Sequence, residues 1–227
     1  MTAAASTPAP TPASTPAPTP ASTPAAGREP RARRAERRRA TKETVVEVAL
    51  DVDGSGRAEV TTGLPFFDHM LAQLAAHGGL DLTVHADGDL DVDAHHTVED
   101  VGIVLGGCLA EALGDKAGVR RFASVLLPLD EALVEVALDL SGRSFLAYDV
   151  PFAPDTPGLG SPPFDPQLAE EFLRAATAAA GITLHVNRRA GRNTHHVVEA
   201  VFKGVARALR DAVRMEGGSV PSTKGTL

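Results

Sequence analysis

The sequence HHTVED at residues 95–100 recurs as HHVVEA at residues 195–200. Each copy opens a run whose apolar residues recur at helical spacing, which predicts that each lies at the start of an α-helix. On a helix the first histidine and the glutamate are one turn apart, and adjacent histidines diverge by about 100° around the axis. Each helix start can therefore offer imidazoles in two directions with a carboxylate between them. That geometry suits two metal ions better than one.

A single HHxxE sequence is equally well explained as the solvated start of a helix. Two copies, each opening an apolar helix, favour a paired metal site instead. Neutral imidazole and carboxylate groups are suitable ligands for metals such as Mn, Fe or Zn.

An internal duplication extends well beyond the histidine pairs. The sequence VEVALD at residues 46–51 returns at residues 134–139, and each copy is a period-2 strand pattern followed by a Gly-Arg turn. Next come a helix (about 66–77 and 165–180) closed by glycine, a short strand (80–85 and 182–187), and the HHxxE helix. The pattern predicts an α+β domain of two duplicated β-β-α-β-α halves, about 42–120 and 121–215, followed by a C-terminal tail.

The first forty residues differ in composition from the rest of the chain. ASTPAPTP repeats at residues 5–12 and 13–20, and an arginine-rich stretch follows at 28–39. We expect residues 1–40 to be a disordered tail and residues 41–227 to form the folded domain. The tail carries seven arginines against two glutamates while the whole chain has a net charge of −7. The domain is therefore strongly acidic, which argues against nucleic acid as a partner.

Two further features bear on location. Cys108 is the only cysteine, so an internal disulfide is impossible and a reducing cytoplasm is the expected compartment. The sequence has no apolar run long enough to span a membrane, so no membrane partner is expected.

The duplication also predicts one remote metal ligand in each half. Matching Gly79 to Gly181 sets His69 opposite Glu171, each on the first helix of its half. Either side chain could join a metal cluster. For His69 the alternative is a buried core histidine between its apolar neighbours.

Several cationic side chains suggest an anionic substrate. Lys203 continues the His195–Glu199 helix face, Arg121 and Arg143 follow turns, and the chain ends in PSTKGTL at residues 221–227. Hydroxyl donors beside a lysine can hold a phosphate group. Each cation taken alone is more often a surface charge.

Taken together, FFDHMLAQLAAHGGLDL, DAHHTVEDVGIVLG, HHVVEAVFKGVARAL and the terminal PSTKGTL resemble the imidazoleglycerol-phosphate dehydratase family over residues 42–227. The resemblance implies a fold of the ribosomal protein S5 domain 2 type. It implies a metal-dependent lyase that dehydrates D-erythro-imidazole glycerol phosphate to imidazole acetol phosphate in L-histidine biosynthesis. It also implies two Mn²⁺ ions per active site and a homo-oligomer of 24 subunits with shared active sites.

The resemblance carries functional roles onto individual residues. The metal ligands it implies are His69, His95, His96, Glu99, His195, His196 and Glu199, to which the duplication adds Glu171. Family members generally have a histidine where this chain has Glu171, so the metal preference of the site is in question. The implied substrate contacts are Glu43, His69, His77, His95, Glu99, Arg121, Arg143, His195, Lys203, Ser222, Thr223 and Lys224. We expect Glu43, which the predicted metal ions do not use, to transfer protons, with Glu99 and Glu199 as further catalytic carboxylates.

Two other functions are compatible with the same ligands. A dinuclear hydrolase of small phosphate esters would need a coordination position for water rather than for an imidazole ring. A non-enzymatic metal store would explain the histidines but not Lys203 or the cation in residues 222–224.

Overall fold

The computed structural model describes Met1 and residues 32–225. Most of the predicted tail, residues 2–31, lies outside the described residues. The described first half contains β1 (Arg34–Ala40), β2 (Thr44–Asp51), β3 (Ala58–Thr61), α1 (Pro65–Gly78), β4 (Asp81–Gly88) and α2 (His95–Leu113). The second half contains β5 (Phe122–Leu129), β6 (Ala132–Asp139), β7 (Phe145–Asp149), α3 (Leu168–Ala180), β8 (Thr183–Ala190) and α4 (Thr194–Ala212).

The two halves form equivalent four-stranded sheets. Their strand orders are β1-β2-β4-β3 and β5-β6-β8-β7, and in each sheet the last pair is parallel and the others are antiparallel. The repeated VEVALD segments lie in β2 and β6, in the interior of their sheets, with alternate side chains buried. The predicted duplicated α+β fold is confirmed, and each half begins with one strand more than the β-β-α-β-α pattern.

In the first half this additional strand is β1, and here the predicted tail boundary at residue 40 was wrong. Residues 34–40 pair along the whole of β2, from Arg34 opposite Asp51 to Ala40 opposite Val45. Ion pairs join Arg34 to Asp51 and Arg38 to Glu47 across the two strands. The arginine-rich segment is therefore an edge strand whose charges are neutralised by its neighbours.

Helices of different halves pack against each other. α1 contacts α4 and α2 contacts α3, while α2 also covers β1 and β2, and α4 covers β5 and β6. The buried rings of Phe67, Phe164, Phe172 and Phe202 join the halves, with ring centroids 5.4–5.7 Å apart. The crossed packing makes one hydrophobic core and places α1 of the first half beside the histidine pair of α4.

The helix ends follow the sequence signals. Gly79 and Gly181 end α1 and α3 in the left-handed conformation, with φ of 68° and 62°, which glycine adopts without steric cost. α2 begins at His95, and Asn193 caps α4 by accepting the backbone N–H groups of His195 and His196. None of the helices in the described residues is long and apolar enough to cross a membrane.

Candidate metal centre

The first turn of α4 places His195 and Glu199 on one helix face. His195 Nε2 lies 3.1 Å from Glu199 Oε2. The Asn193 cap fixes the backbone of this turn, and the His195 ring packs edge-on against Phe66 of α1 at 5.2 Å between centroids. The histidine is thus held between its own helix cap and the neighbouring helix.

α1 adds His69 to this pair. His69 Nε2 is 3.8 Å from Glu199 Oε1, and potential ligand atoms of His69, His195 and Glu199 all lie within 4.8 Å of one another. The alternative of a buried core histidine is wrong for His69, because its side chain is 43% exposed. Among the described residues these three form the one group of at least three His, Cys, Asp or Glu side chains close enough together to share a metal ion.

Lys203 stabilises the ionised form of the Glu199 carboxyl. Burial opposes ionisation of this carboxyl, but Lys203 Nζ donates to Glu199 Oε1 at 2.7 Å, and Lys203, His69 and His195 add favourable charge interactions. The pKa of Glu199 therefore lies below its ordinary value. An ionised carboxylate beside two imidazoles is a chemically suitable donor set for a divalent transition metal.

His196 faces a different set of groups. Its Nδ1 lies 2.8 Å from Glu131 Oε2, and its Nε2 is 3.7 Å from Asp130. The hydrogen bond to Glu131 raises the pKa of His196, and the same bond, with backbone N–H groups of Asn193 and Arg192, lowers the pKa of Glu131 to about 2. Sequence reasoning did not select Glu131. The available signal was its position directly before the second β-strand repeat, equivalent to Glu43 before the first.

The second histidine of the α2 pair, His96, also lies beside two carboxylates. His96 Nδ1 lies 3.0 Å from Asp89 Oδ2 and 3.9 Å from Glu43 Oε2, and the bond to Asp89 is the main cause of its raised pKa. The His95 ring is edge-on to His96 at 6.2 Å, as His195 is to His196. Asp89 also escaped sequence reasoning because nothing in the motif marks it.

The other predicted ligands and contacts lie outside the group of three. Glu99 is partly buried on α2. Glu171 pairs with Arg174 on its own helix at 3.8 Å. His77 bonds Gln73 at 3.2 Å, and burial together with the charges of Lys203 and Arg207 lowers the pKa of His77.

Arg121 joins the C-terminal segment to the second sheet. Its guanidinium donates to Asp139 on β6 at 2.7 and 3.2 Å and to the carbonyl of Pro221 at 2.7 Å. Ser222 Oγ in turn accepts the backbone N–H of Lys224. The structure thus brings Arg121 to the segment that contains Ser222, Thr223 and Lys224. The exposed guanidinium of Arg143 instead donates to the carbonyl of the nearby Ser141.

Comparisons with known proteins identify relatives of this chain. A family model described as imidazoleglycerol-phosphate dehydratase matches residues 62–209. An imidazoleglycerol-phosphate dehydratase of Acidiphilium cryptum is 56% identical over 199 residues, covering 86% of this chain and all of that relative, and one of Acidothermus cellulolyticus is 55% identical over 196 residues, covering 86% and 93%.

A crystal structure of the Staphylococcus aureus imidazoleglycerol-phosphate dehydratase superposes with a TM-score of 0.71 at 35% identity, covering 80% of this chain and 99% of that one. The resemblance found in the motifs is thereby confirmed over the fold as well. The chain belongs to the imidazoleglycerol-phosphate dehydratase family, hydro-lyases of histidine biosynthesis.

Proposed function

We propose that this protein is a metal-dependent dehydratase that converts D-erythro-imidazole glycerol phosphate to imidazole acetol phosphate. One observation supports the metal dependence most directly. Ligand atoms of His69 on α1 and of His195 and Glu199 on α4 lie within 4.8 Å of one another, although these helices belong to different halves. Family membership supports the reaction, and the ligand chemistry of this group supports the cofactor. The cytoplasmic location expected from the single cysteine remains a prediction.

The proposed cofactor is Mn²⁺, two ions per active site. Of the eight proposed ligands, His69, His195 and Glu199 would hold one ion together, and His95, His96, Glu99, Glu171 and His196 supply the rest. When bound, the ions would act as Lewis acids that favour loss of the ring proton of the substrate imidazole, which leaves the ring electron-rich enough to expel the neighbouring hydroxyl.

Glu43 is the proposed proton carrier. It lies in the turn before β2 with its carboxylate exposed, 3.9 Å from His96 and without a closer ion pair among the described residues. The proton that the reaction removes is on a carbon that bears a hydroxyl, so it needs a nearby base that is not engaged elsewhere. The proposed phosphate contacts are Arg121, Arg143 and Lys224, together with Lys203 on α4. Arg121 also fixes the terminal segment that contains Lys224.

A homo-oligomer with shared sites is part of the proposal, with 24 subunits as the implied size. Within the described part of one chain only three of the eight ligands come together, so a neighbouring copy would supply the others. The outer face of the second sheet also exposes Phe122, Leu126 and Phe145, each more than half accessible, which is unusual for a surface that faces water alone.

The decisive test is dehydration of imidazole glycerol phosphate by metal-stripped protein with and without added Mn²⁺. We expect turnover to appear only with the metal and to be lost in Glu43→Gln, which should retain its metal content. Release of inorganic phosphate instead of the ketone would favour the hydrolase, and metal binding without any turnover would favour the metal store.

Glu171 requires a separate measurement because it replaces the usual histidine. We propose that it ligates a metal ion, since α3, which contains it, packs against α2, which contains His95 and Glu99. Mn²⁺ titration of metal-stripped Glu171→Ala should show weakened binding at one of the two sites. Glu170→Ala is the matched control, because Glu170 also pairs with Arg174 but has no proposed ligand role. Unchanged affinity in Glu171→Ala would remove it from the ligand set.

A further inference from the structure

The second histidine of each motif is held by a carboxylate at the same ring atom. His96 Nδ1 lies 3.0 and 3.2 Å from the two carboxylate oxygens of Asp89, and His196 Nδ1 lies 2.8 Å from Glu131 Oε2. In both cases the proton that the bond requires is on Nδ1. The opposite nitrogen, Nε2, then has a lone pair available for a metal ion.

Backbone hydrogen bonds anchor both residues, Glu131 through its carboxylate and Asp89 through its main chain. Glu131 Oε1 accepts the backbone N–H groups of Asn193 at 2.8 Å and Arg192 at 3.2 Å, which ties the β5–β6 hairpin to the loop before α4. The Asp89 backbone N–H donates to the Glu43 carbonyl at 3.1 Å, which ties the loop after β4 to the β1–β2 turn. The Glu131 carboxylate is therefore held directly against His196, and the anchored backbone of Asp89 keeps its carboxylate beside His96.

The duplication shows how the two halves have diverged. Glu43 and Glu131 occupy equivalent positions before the repeated strand, but only Glu131 bonds its histidine directly. The loop before α4, residues 191–193, has no carboxylate, whereas the corresponding loop before α2 contains Asp89. In the first half Asp89 takes the ring nitrogen, so the Glu43 carboxylate stands 0.9 Å farther from His96 than Asp89 does, at 3.9 Å against 3.0 Å.

We propose that Asp89 and Glu131 are positioning residues that fix His96 and His196 with Nε2 directed to the metal ions, and that Asp89 thereby leaves Glu43 free for proton transfer. The inference rests on the proposed function. Histidine ligands generally donate their second ring N–H to such a partner, and removing the partner commonly weakens metal affinity 10- to 100-fold.

The test is Mn²⁺ affinity of the full-length, metal-stripped protein by calorimetry, compared among the native protein, Asp89→Ala and Glu131→Ala. We expect each variant to bind about 10- to 100-fold more weakly at one site. Glu131→Ala should also melt at a lower temperature without metal, because it loses the hydrogen bonds that tie the β5–β6 hairpin to the loop before α4. Glu135→Ala is the matched control, because Glu135 on β6 pairs with Arg189 on β8 and has no proposed ligand or positioning role. It should bind the metal as the native protein does.

A double-variant cycle separates positioning from a general structural effect. If Glu131 acts through His196, Glu131→Ala should cost no further affinity in a His196→Ala background. Equal losses in both backgrounds, or native affinity in Asp89→Ala and Glu131→Ala, would overturn the inference. Should Glu131→Ala fail to fold, Glu131→Asp keeps the charge but shortens its reach, and it should weaken binding to a smaller extent. Native protein that binds no Mn²⁺ would instead contradict the proposed function.

Discussion

Lys203 can make one contact in the substrate-free site and another when the substrate is bound. In this structure its ammonium donates to Glu199 at 2.7 Å, while the family resemblance implies that it contacts the substrate, where we propose that it binds the phosphate. We expect Lys203→Met to raise KM about 10- to 100-fold, because a charge-assisted hydrogen bond is worth about 1.5–3 kcal/mol. The affinity for Mn²⁺ should not fall, since Lys203 occupies an oxygen of the same carboxylate that would bind the metal.

Steady-state kinetics and metal titration of the same variant distinguish these effects. Arg214→Met is the control, because Arg214 lies just after the end of α4 and pairs with Asp211 there. An unchanged KM together with weaker metal binding would make Lys203 part of the metal centre rather than a phosphate contact.

Ionisation of Asp81, which lies outside the candidate metal centre, should make the stability of the fold depend on pH. Its carboxylate accepts the Arg57 side chain at 2.8 Å, and the backbone N–H groups of Ser55 and Arg57. The Arg57 side-chain bond is the largest contribution, and the pKa of Asp81 lies well below its ordinary value. Stabilisation from a lowered carboxyl pKa is present above the unfolded value and is lost as the pH falls through the folded value.

We therefore expect Asp81→Asn to melt at a lower temperature than the native protein near pH 7, with the gap narrowing below about pH 4. Melting curves between pH 3 and 7 would measure this, with Asp91→Asn in an exposed loop as the control. A gap that stays constant over the whole range would show that the Asp81 charge contributes nothing.

At the scale of the elements, the α2–α3 contact depends on glycine. A Cβ at Gly106 would lie 2.3 Å from the Ala176 carbonyl oxygen and 2.9 Å from the Ala179 Cβ, neither of which can move without shifting α3. Gly106→Ala should therefore lower the free energy of unfolding by about 1–3 kcal/mol. Gly107→Ala is the control, because its Cβ would meet only the flexible Arg37 side chain, and it should gain up to about 1 kcal/mol of helix propensity. Urea denaturation measures the free energy of unfolding of each variant. Equal values for the two variants would show that the α2–α3 contact accommodates the added methyl group without cost.

How far the sequence predicts the structure depends on how each element is stabilised. Helix ends at Gly79, Gly181 and Asn193 follow from local backbone chemistry, and β2 and β6 follow from alternating burial. β1 has one buried residue, Ala35, and its arginines are neutralised by acidic residues distant in sequence, so composition alone suggested a tail.

The same limit applies within the site. The motif itself predicts that His195 and Glu199 share a helix face, and the duplication selects His69. Glu131 reaches His196 across 65 residues of sequence, and Asp89 reaches His96 from a loop without any motif. Such contacts depend on how the loops fold, which hydrophobic periodicity does not encode.

At the scale of the whole molecule, β1 determines where the domain begins. Arg39 Nε bonds the buried Asp100 at 2.8 Å, and the Thr44 hydroxyl donates to the other oxygen of that carboxylate. Arg37 pairs with Glu111 at 3.3 Å, so β1 is joined to α2 at two points.

Two truncations test this boundary. Removing residues 1–31 should leave the urea midpoint and the assembly state unchanged. Removing residues 1–40 should cost about 3 kcal/mol or more, because it leaves the buried Asp100 charge without its guanidinium partner and opens the hydrogen-bonding edge of β2. Arg39→Met in the full chain removes the ion pair with Asp100 but keeps β1, so it should lower the free energy of unfolding by only part of that amount. Light scattering should also show aggregation of the longer truncation through the open edge, and identical behaviour of both truncations would place the start of the domain after residue 40.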